Sequence, residues 1–541
     1  MNVLVINGSP KTDNSITLQT VLYIQKKNPE DNFTFINVAT HLQAFEIDFR
    51  ETVKMIYDAD LILFSYPVYS GSVPANLYRF LELMKDNHLF LAAKYFTQIT
   101  SSEKYMDVTA HSFVQQNCQE MKLRCIKGFS AGRTDLLTPE GQKEADDFFK
   151  YVKYCYDHDI YETPADPPKV YKGTRSFVPR KQVDRMPGKI SVLTDCKESD
   201  ITLRSMIDRF RAQSPYALEV YNLLEQDIKG GCTGCLKCVR NGKCVYKDSF
   251  SSLYNDFMSS NAVIFAFSIQ NHFMSLHFKK YFERTFVAGC RNIKKGLPLA
   301  FIVSGPLDDE ASLRMWMEAY ADSQQAFLAG IATDQKQPDS ELDAIVKRIS
   351  YAVEHNYNAS RFFYNQAYHK IHRDFMFLKQ GERKSDHRYY KDNNLYDFPQ
   401  KQRGERISSY VTGFLMSIPF VKKILGPRLQ ERLLVPYRKV LNRVDEEKAL
   451  ADQKQAKEIS EALFSAVQLP ENMEESQDDI TSSAEKKSLF ARTSPELAQN
   501  SSLTESGKEN PEQGAFMAEK ENSSLEDNLP SDDFFNNLSR P

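Results

Sequence analysis

Four cysteines lie close together in one segment of the chain, where they could bind a metal centre. They follow the spacing C-x2-C-x2-C-x5-C and are Cys232, Cys235, Cys238 and Cys244, here called the cysteine loop (residues 232–244). Thiolates at this spacing can surround an iron–sulfur cubane, and neighbouring lysine and arginine side chains would stabilise its negative charge. Four thiolates also suit a zinc ion, although zinc sites more often hold two C-x2-C pairs farther apart. The spacing favours a cluster over zinc and over unligated thiols.

A second candidate site, the phosphate loop (residues 8–17), follows the first apolar run of the chain. Its sequence is Gly-Ser-Pro-Lys-Thr-Asp-Asn-Ser-Ile-Thr, and it leads into the first predicted helix. A helix start offers free backbone N–H groups and the positive end of the helix dipole, and hydroxyl groups add further donors. A phosphate monoester fits such a loop, and a plain turn with a helix cap is the alternative.

A third segment, the ring loop (residues 65–74), has the sequence Ser-Tyr-Pro-Val-Tyr-Ser-Gly-Ser-Val-Pro and follows another apolar run. Tyr69 could flank an aromatic ring system, and the backbone from Val68 to Gly71 could hydrogen-bond the polar edge of that ring. In open parallel sheets a ligand binds at the carboxyl ends of the strands. An ordinary strand-to-helix connection is the alternative.

The elements that must position these loops are short apolar runs separated by helical patterns. The runs 3–6, 61–64 and 95–99 are typical of buried parallel strands, and the spacing of apolar residues from Leu18 to Ile24 predicts an amphipathic helix. Alternating strands and helices predict a doubly wound parallel sheet of the α/β class.

The same series of elements recurs later in the chain. The run 190–193 corresponds to the first strand, 262–265 corresponds to 61–64, and both halves close with a glycine-containing turn and an amphipathic helix. We therefore predict a tandem duplication of one α/β domain.

The phosphate and ring loops resemble those of NAD(P)H-dependent FMN reductases, which have the flavodoxin-like fold. The resemblance covers most of residues 1–155 and implies FMN, with NAD(P)H as electron donor. It implies FMN contacts from Ser9, Lys11, Ser15, Ile16, Thr17, Pro67, Val68, Tyr69, Ser70 and Gly71. The family often has Asn where Ile16 stands, which removes a side-chain contact but leaves the backbone N–H. No catalytic residue is assigned.

The second half resembles the iron–sulfur flavoproteins of the same family over residues 188–355, including the tail Gly242-Lys243-Cys244-Val245. That resemblance implies a [4Fe-4S] cluster on the four cysteines. The flavin loops of this half depart from the pattern, because acidic residues such as Asp195 would repel a phosphate. We expect no second FMN, and we expect His272 to be a loop or pocket residue rather than a catalyst.

The predicted organisation therefore has five parts. They are a flavodoxin-like FMN domain (1–162), a linker (163–188), a flavodoxin-like domain with the cysteine loop (189–356), a basic and aromatic helical extension (357–445), and a tail (446–541) that begins helical and is then acidic and disordered. Segment 401–443 has ten Lys and Arg against two Glu. We expect its apolar face to pack on the domains, while contact with a membrane surface is possible but not favoured.

The composition excludes some classes of function. The formal net charge of −3 argues against a nucleic-acid-binding protein, and neither a secretory signal nor an apolar run long enough to span a bilayer is evident. A cytoplasmic protein is expected.

These features predict an oxidoreductase that passes electrons from FMN in the first half to the cluster in the second, and then to an unknown acceptor. Members of the family are usually dimers or tetramers, so the chain would have internalised such a pair, and further homo-oligomers are possible. A non-enzymatic scaffold on a degenerate flavodoxin-like fold, with zinc or unligated cysteines, is the alternative. The preference for NADH or NADPH is not decided by the sequence.

Overall fold

Two parallel β-sheets organise the chain, and each is covered by helices. The computed structural model describes residues 1–164, 170–180, 183–289, 295–418 and 446–461, with the single residues 420 and 442. Residues 1–412, which hold both sheets, form one compact unit.

The first domain is built on a sheet whose central strands are buried on both faces. Its strands are β1 (Asn2–Asn7), β2 (Asn32–Asn37), β3 (Leu61–Pro67), β4 (Tyr95–Ser102), β5 (Arg124–Cys125) and β6 (Phe129–Gly132). Its helices are α1 (Ile16–Lys27), α2 (Val38–Ile47), α3 (Arg50–Asp58), α4 (Ala75–Asp86), α5 (Asp107–Glu120) and α6 (Pro139–Asp157). The strand order is 2-1-3-4-5 with β6 also paired to β4, and all pairs are parallel.

The second domain repeats this arrangement. Its strands are β7 (Lys189–Thr194), β8 (Ala217–Asn222), β9 (Ala262–Ser268), β10 (Pro298–Ser304) and β11 (Phe327–Thr333). Its helices are α7 (Ile201–Gln213), α8 (Cys238–Asn241), α9 (Phe250–Met258), α10 (Leu276–Arg284), α11 (Ala311–Ser323) and α12 (Pro338–His355). The order 8-7-9-10-11, again all parallel, is that of the first sheet.

The predicted architecture of two tandem doubly wound, flavodoxin-like domains is confirmed. The runs 3–6, 61–64 and 190–193 lie inside β1, β3 and β7, and their side chains are buried. The strand order reverses beside β1 and β7, which creates a crevice at the carboxyl ends of the strands. Within the described part of the chain, no helix is long and apolar enough to cross a membrane.

The described parts of segment 163–188 run along the second domain. The backbone N–H of Thr174 donates to the carbonyl of Asp334 at 2.8 Å, and Arg209 of α7 donates to the carbonyl of Phe177 at 2.6 Å. These described parts are therefore held against α7 and the end of β11.

Helices α13 (Phe363–Leu378), α14 (Lys384–Asp392) and α15 (Arg403–Ser417) form the described extension. The apolar side chains of Ile407, Tyr410 and Val411 on α15 are more than half exposed. Packing of this face on the domains was expected, and for these three residues that expectation is wrong. Helices α13 and α14 of the extension instead contact the second domain, at α11 and α8. The acidic segment predicted to be disordered lies outside the described residues.

The two domains meet through equivalent helices. Leu61 and Ala262, which begin β3 and β9, are 201 residues apart, and the same separation relates Tyr78 on α4 to Lys279 on α10. One buried apolar cluster continues through this interface, with Phe113 of the first domain in ring contact with Phe273 of the second. Burial of this apolar surface holds the halves together.

Tyr78 and Lys279 bond reciprocally across the interface. The hydroxyl of Tyr78 lies 3.2 Å from the carbonyl oxygen of Gln270, and the ammonium of Lys279 lies 2.6 Å from that of Tyr69. Tyr69 and Gln270 are themselves 201 residues apart. The interface is thus a pseudo-twofold arrangement in which each half fixes the equivalent turn of the other.

His272, beside that turn in the second domain, lies between two carboxylates. Its Nδ1 is 2.7 Å from Glu310 and its Nε2 is 3.1 Å from Glu120 of the first domain. Burial alone would lower the pKa of His272, but the two carboxylates outweigh it and raise this pKa to about 9. His272 is therefore an interface ion-pair residue.

Replacing Tyr78 by Phe should destabilise the protein by about 1–3 kcal/mol, because two carbonyls at the interface would each lose a donor. The hydroxyl also lies 2.9 Å from the carbonyl of Met274. Urea unfolding checks this, with the half-exposed Tyr57→Phe, whose hydroxyl makes only a 3.4 Å contact, as the matched control. Equal stability of the two variants would contradict the assigned role.

The His272 contacts should make stability depend on pH. The pKa is higher in the folded than in the unfolded protein, so the stabilisation is complete below pH 6.5 and is lost as the pH rises through about 9. In His272→Gln, the free energy of unfolding measured between pH 6.5 and about 9 should no longer show this loss of stability. His41→Gln, at an exposed position on α2, should leave the wild-type profile unchanged.

Candidate functional site

A cavity of about 440 Å³ lies at the carboxyl ends of β1, β3 and β4, where the first domain faces the second. All ten residues predicted to contact FMN line it: Ser9, Lys11, Ser15, Ile16, Thr17, Pro67, Val68, Tyr69, Ser70 and Gly71. The structure therefore brings the phosphate and ring loops to one cavity, and their contact with FMN stays a prediction.

The phosphate loop ends in a capped helix start. The hydroxyl of Ser15 accepts from the N–H of Leu18 at 3.4 Å and caps α1. The first-turn N–H groups of a helix have no partner within the helix, and here they belong to residues that border the cavity. Among the described residues, Lys11 has no ion-pair partner, so its charge is available for an anion.

Gly8 makes the close approach of this loop to α4 possible. A Cβ atom at this position would lie 2.7 Å from the side chain of Leu77, and the carbonyl of Gly8 accepts from the Asn76 side chain at 3.0 Å.

The ring loop is held from both domains. Tyr69 and Ser72 exchange backbone hydrogen bonds of 2.9 and 3.1 Å, and the indole of Trp316 donates to the carbonyl of Ser70 at 2.7 Å. Gly71 has φ +70°, and a Cβ there would lie 2.9 Å from Trp316, so this position requires glycine. The second domain thus fixes the turn that borders the predicted ring position.

A buried carboxylate links the ring loop to the cysteine loop. Glu283 of α10 accepts from the N–H of Ala75 at 2.7 Å and from the N–H of Cys232 at 2.9 Å, and it lies 3.2 Å from Lys279. Burial lowers the pKa of Lys279 and raises that of Glu283, and the contact between the two charges opposes both shifts. This pair ties the start of α4 to the first cysteine.

The four cysteines line one small cavity together with Tyr246, Arg284 and Phe286. They are free thiols, and within the described residues no three His, Cys, Asp or Glu side chains are gathered closely enough to hold a metal ion as they stand. Burial raises the pKa of the Cys232 thiol to about 12. The structure thus brings the predicted ligands to one cavity, but it does not show a metal site.

The cysteine loop also touches the first domain. Cys232, Gly234 and Leu236 border the larger cavity, and a Cβ on Gly234 would lie 2.6 Å from the hydroxyl of Tyr69 and 2.9 Å from Lys11. Gly234 has φ +65°, which suits glycine. Both predicted sites therefore share a wall.

The second domain has an acidic group where the first has its phosphate loop. Asp195, which follows β7, is buried, and burial raises its pKa to about 6. One of its carboxylate oxygens has no hydrogen-bond partner among the described residues. A phosphate would meet an acidic side chain here.

Sequence reasoning missed the rest of the cavity wall. Aromatic and polar side chains of the second domain and the extension complete it, among them Tyr254, Trp316, Tyr320, Tyr368, His372, Phe375 and Arg383. No local motif marks these residues, because they meet only after the halves and the extension have packed.

Comparison with known proteins shows a family similarity in the first domain. Residues 1–127 match the model of the NADPH-dependent FMN reductase family. The resemblance inferred from the phosphate and ring loops is thereby confirmed, and the match supports an NAD(P)H-dependent oxidoreductase that uses FMN. No curated protein matches the chain.

Solved structures of similar proteins each cover about the length of one α/β domain. An NADH:FMN oxidoreductase in its apo form is 16% identical, covers 30% of this chain and 91% of its own, and has a TM-score of 0.25. An FMN-dependent NADH-azoreductase from Bacillus anthracis in complex with FMN is 16% identical, covers 29% of this chain and 99% of its own, and has a TM-score of 0.22. An NAD(P)H:quinone oxidoreductase from Methanothermobacter marburgensis is 10% identical, covers 30% of this chain and 98% of its own, and has a TM-score of 0.23.

If Lys11 contacts the FMN phosphate, Lys11→Met should weaken FMN binding about tenfold or more, since hydrogen bonds to charged groups contribute about 1.5–3 kcal/mol. Quenching of FMN fluorescence on titration into the flavin-free protein measures the affinity. Lys26→Met, at the exposed far end of α1, is the matched control. Equal affinities of the two variants would remove Lys11 from the predicted site.

Proposed function

We propose that this chain is an NAD(P)H-dependent FMN oxidoreductase that passes electrons to a [4Fe-4S] cluster held by Cys232, Cys235, Cys238 and Cys244, and then to an acceptor. The observation that carries this proposal is the shared wall between the two predicted sites. The cysteine loop contacts both Tyr69 and Lys11, so an electron would have a short path between them.

The first domain fits FMN in charge and shape. At one place the cavity has a helix start and Lys11, which has no ion-pair partner in the part of the chain that the structure describes, as a phosphate requires. At another place it has a glycine turn with backbone groups, as a planar polar ring requires. When bound, FMN supplies hydride and single-electron chemistry. The protein's own residues orient the ring and keep water from it, and the second domain holds the ring loop by its carbonyls.

The cysteine loop fits a cluster in composition and surroundings. Its thiols border one cavity whose wall includes the Arg284 guanidinium, and Arg284 also pairs with Asp248 at 2.8 Å. This positive charge would stabilise the negative charge of a thiolate-ligated cluster. When bound, such a cluster exchanges one electron at a time.

A structural role for the cysteine loop is the second candidate. The described thiols are not gathered as a metal site, which favours unligated cysteines in a scaffold protein. Four thiolates would also suit a structural zinc ion. In that case the second domain would serve to complete the cavity of the first.

Purification without oxygen, followed by a UV–visible spectrum and analysis of flavin, iron, sulfide and zinc, tests the proposal. We expect about one FMN and four irons per chain, because one flavin site and one cubane are proposed. Cys235→Ser and Cys244→Ser should lose iron but keep FMN. Cys196→Ser, a partly buried cysteine outside the loop, should keep both.

The outcomes separate the two candidates. If the protein contains FMN but holds zinc or no metal, electron transfer to a cluster is contradicted and the structural role of the cysteine loop is supported. A protein that binds no FMN would overturn the oxidoreductase itself.

A further inference from the structure

One face of α13 forms a wall of the main cavity that the α/β domains do not supply. Tyr368, Ile371, His372 and Phe375 all border the cavity, and their spacing of three and four residues places them on the same side of the helix. Arg383, just before α14, borders it as well. This wall belongs to the extension, beyond the segment that matches the FMN reductase family.

Both α/β domains anchor this helix. The carboxylate of Asp322, on α11, accepts from the N–H groups of Phe362 and Asn365 at 3.1 and 2.8 Å and so caps the start of α13. From the first domain, the Arg133 guanidinium lies 4.5 Å from the ring centre of Phe375. These contacts therefore fix the position of His372 relative to the first domain, which contains the ring loop.

His372 presents a hydrogen-bond acceptor to the cavity. Its Nδ1 lies 2.9 Å from the backbone oxygen of Tyr368, and since a carbonyl can only accept, Nδ1 carries the hydrogen. Burial lowers the pKa of His372 to about 4, so the ring is neutral near pH 7 and Nε2 has a free lone pair. Among the described residues, no donor bonds to this Nε2.

The surroundings of His372 suit a flat ring that carries a hydrogen-bond donor and is attached to negative charge. Trp316, Tyr320 and Phe375 supply aromatic surface. Arg133 and Arg383 also line the cavity, where each guanidinium pairs with one carboxylate, at 3.4 Å for Glu103 and 3.3 Å for Asp386, and could pair with a phosphate as well. A quinone ring offers only carbonyl oxygens, which would face the Nε2 lone pair unfavourably. A nicotinamide ring carries a carboxamide whose N–H can donate, and its dinucleotide carries phosphates.

Building on the proposed function, we infer that α13 forms the binding site for the nicotinamide ring of the electron donor, with His372 Nε2 accepting a hydrogen bond from the carboxamide N–H. The extension thus determines which ligand enters the cavity beside FMN. His372 binds the donor and transfers no proton in this role.

Binding of oxidised dinucleotides to the FMN-loaded full-length protein tests the inference without turnover. Calorimetry would compare NAD+ and NADP+ with their 3-acetylpyridine analogues, in which a methyl group replaces the carboxamide NH2. Wild-type protein should prefer the nicotinamide forms about fivefold, the effect of one hydrogen bond. His372→Phe should abolish this preference, and His372→Gln, which keeps an acceptor, should retain part of it.

His369→Phe is the matched control, because His369 lies on the same helix but bonds Asp397 at 3.0 Å outside the cavity wall. It should keep the wild-type preference. The inference would be overturned if wild type bound both dinucleotide types equally, or if His372→Phe kept the preference. The proposed function would still stand in either case if NADH or NADPH reduces the flavin. Failure of both donors to reduce bound FMN would overturn the proposed function and this inference with it.

Discussion

The reciprocal bonds of Tyr78 and Lys279 are the constraint on which the molecule depends. In each half, the residue at the same place on the helix after the third strand reaches the backbone oxygen of the partner turn. The two side chains differ in charge, and burying the lysine requires a counter-charge. Glu283 supplies it one helical turn further along and is in turn fixed by two backbone N–H groups. A symmetric contact has thus become an asymmetric one that involves the cysteine loop.

This asymmetry explains why the halves could diverge. The ring loop of the first half keeps Gly71 and is clamped by Trp316, whereas the equivalent turn of the second half carries Asn271 and His272, both with positive φ. In the second half the turn no longer borders the main cavity and instead holds Glu120 of the first domain through His272. One turn serves a ligand cavity and its duplicate serves the interface.

The α/β architecture and the candidate loops could be predicted from the sequence because both are local. Buried strands such as β1 and β7 appear as uninterrupted apolar runs, and the phosphate loop is marked by glycine and hydroxyl residues beside a helix start. The edge strand β8 is harder to predict from the sequence, because its side chains are half-buried or exposed and its apolar pattern is weak. The wall formed by Trp316 and His372 could not be predicted, since no spacing in the sequence indicates which distant segments meet.

The cavity has a further consequence for how the protein is made. Its wall combines residues from Ser9 to Arg383, so it cannot close until Arg383 has left the ribosome. Until then, the nascent first domain displays the apolar face of α4 without its partner helix, a state prone to misassembly. Because the partner follows on the same polypeptide, its local concentration is fixed by the connection and is independent of expression level. Enclosure of any cofactor by this wall is accordingly completed late in the biogenesis of the protein.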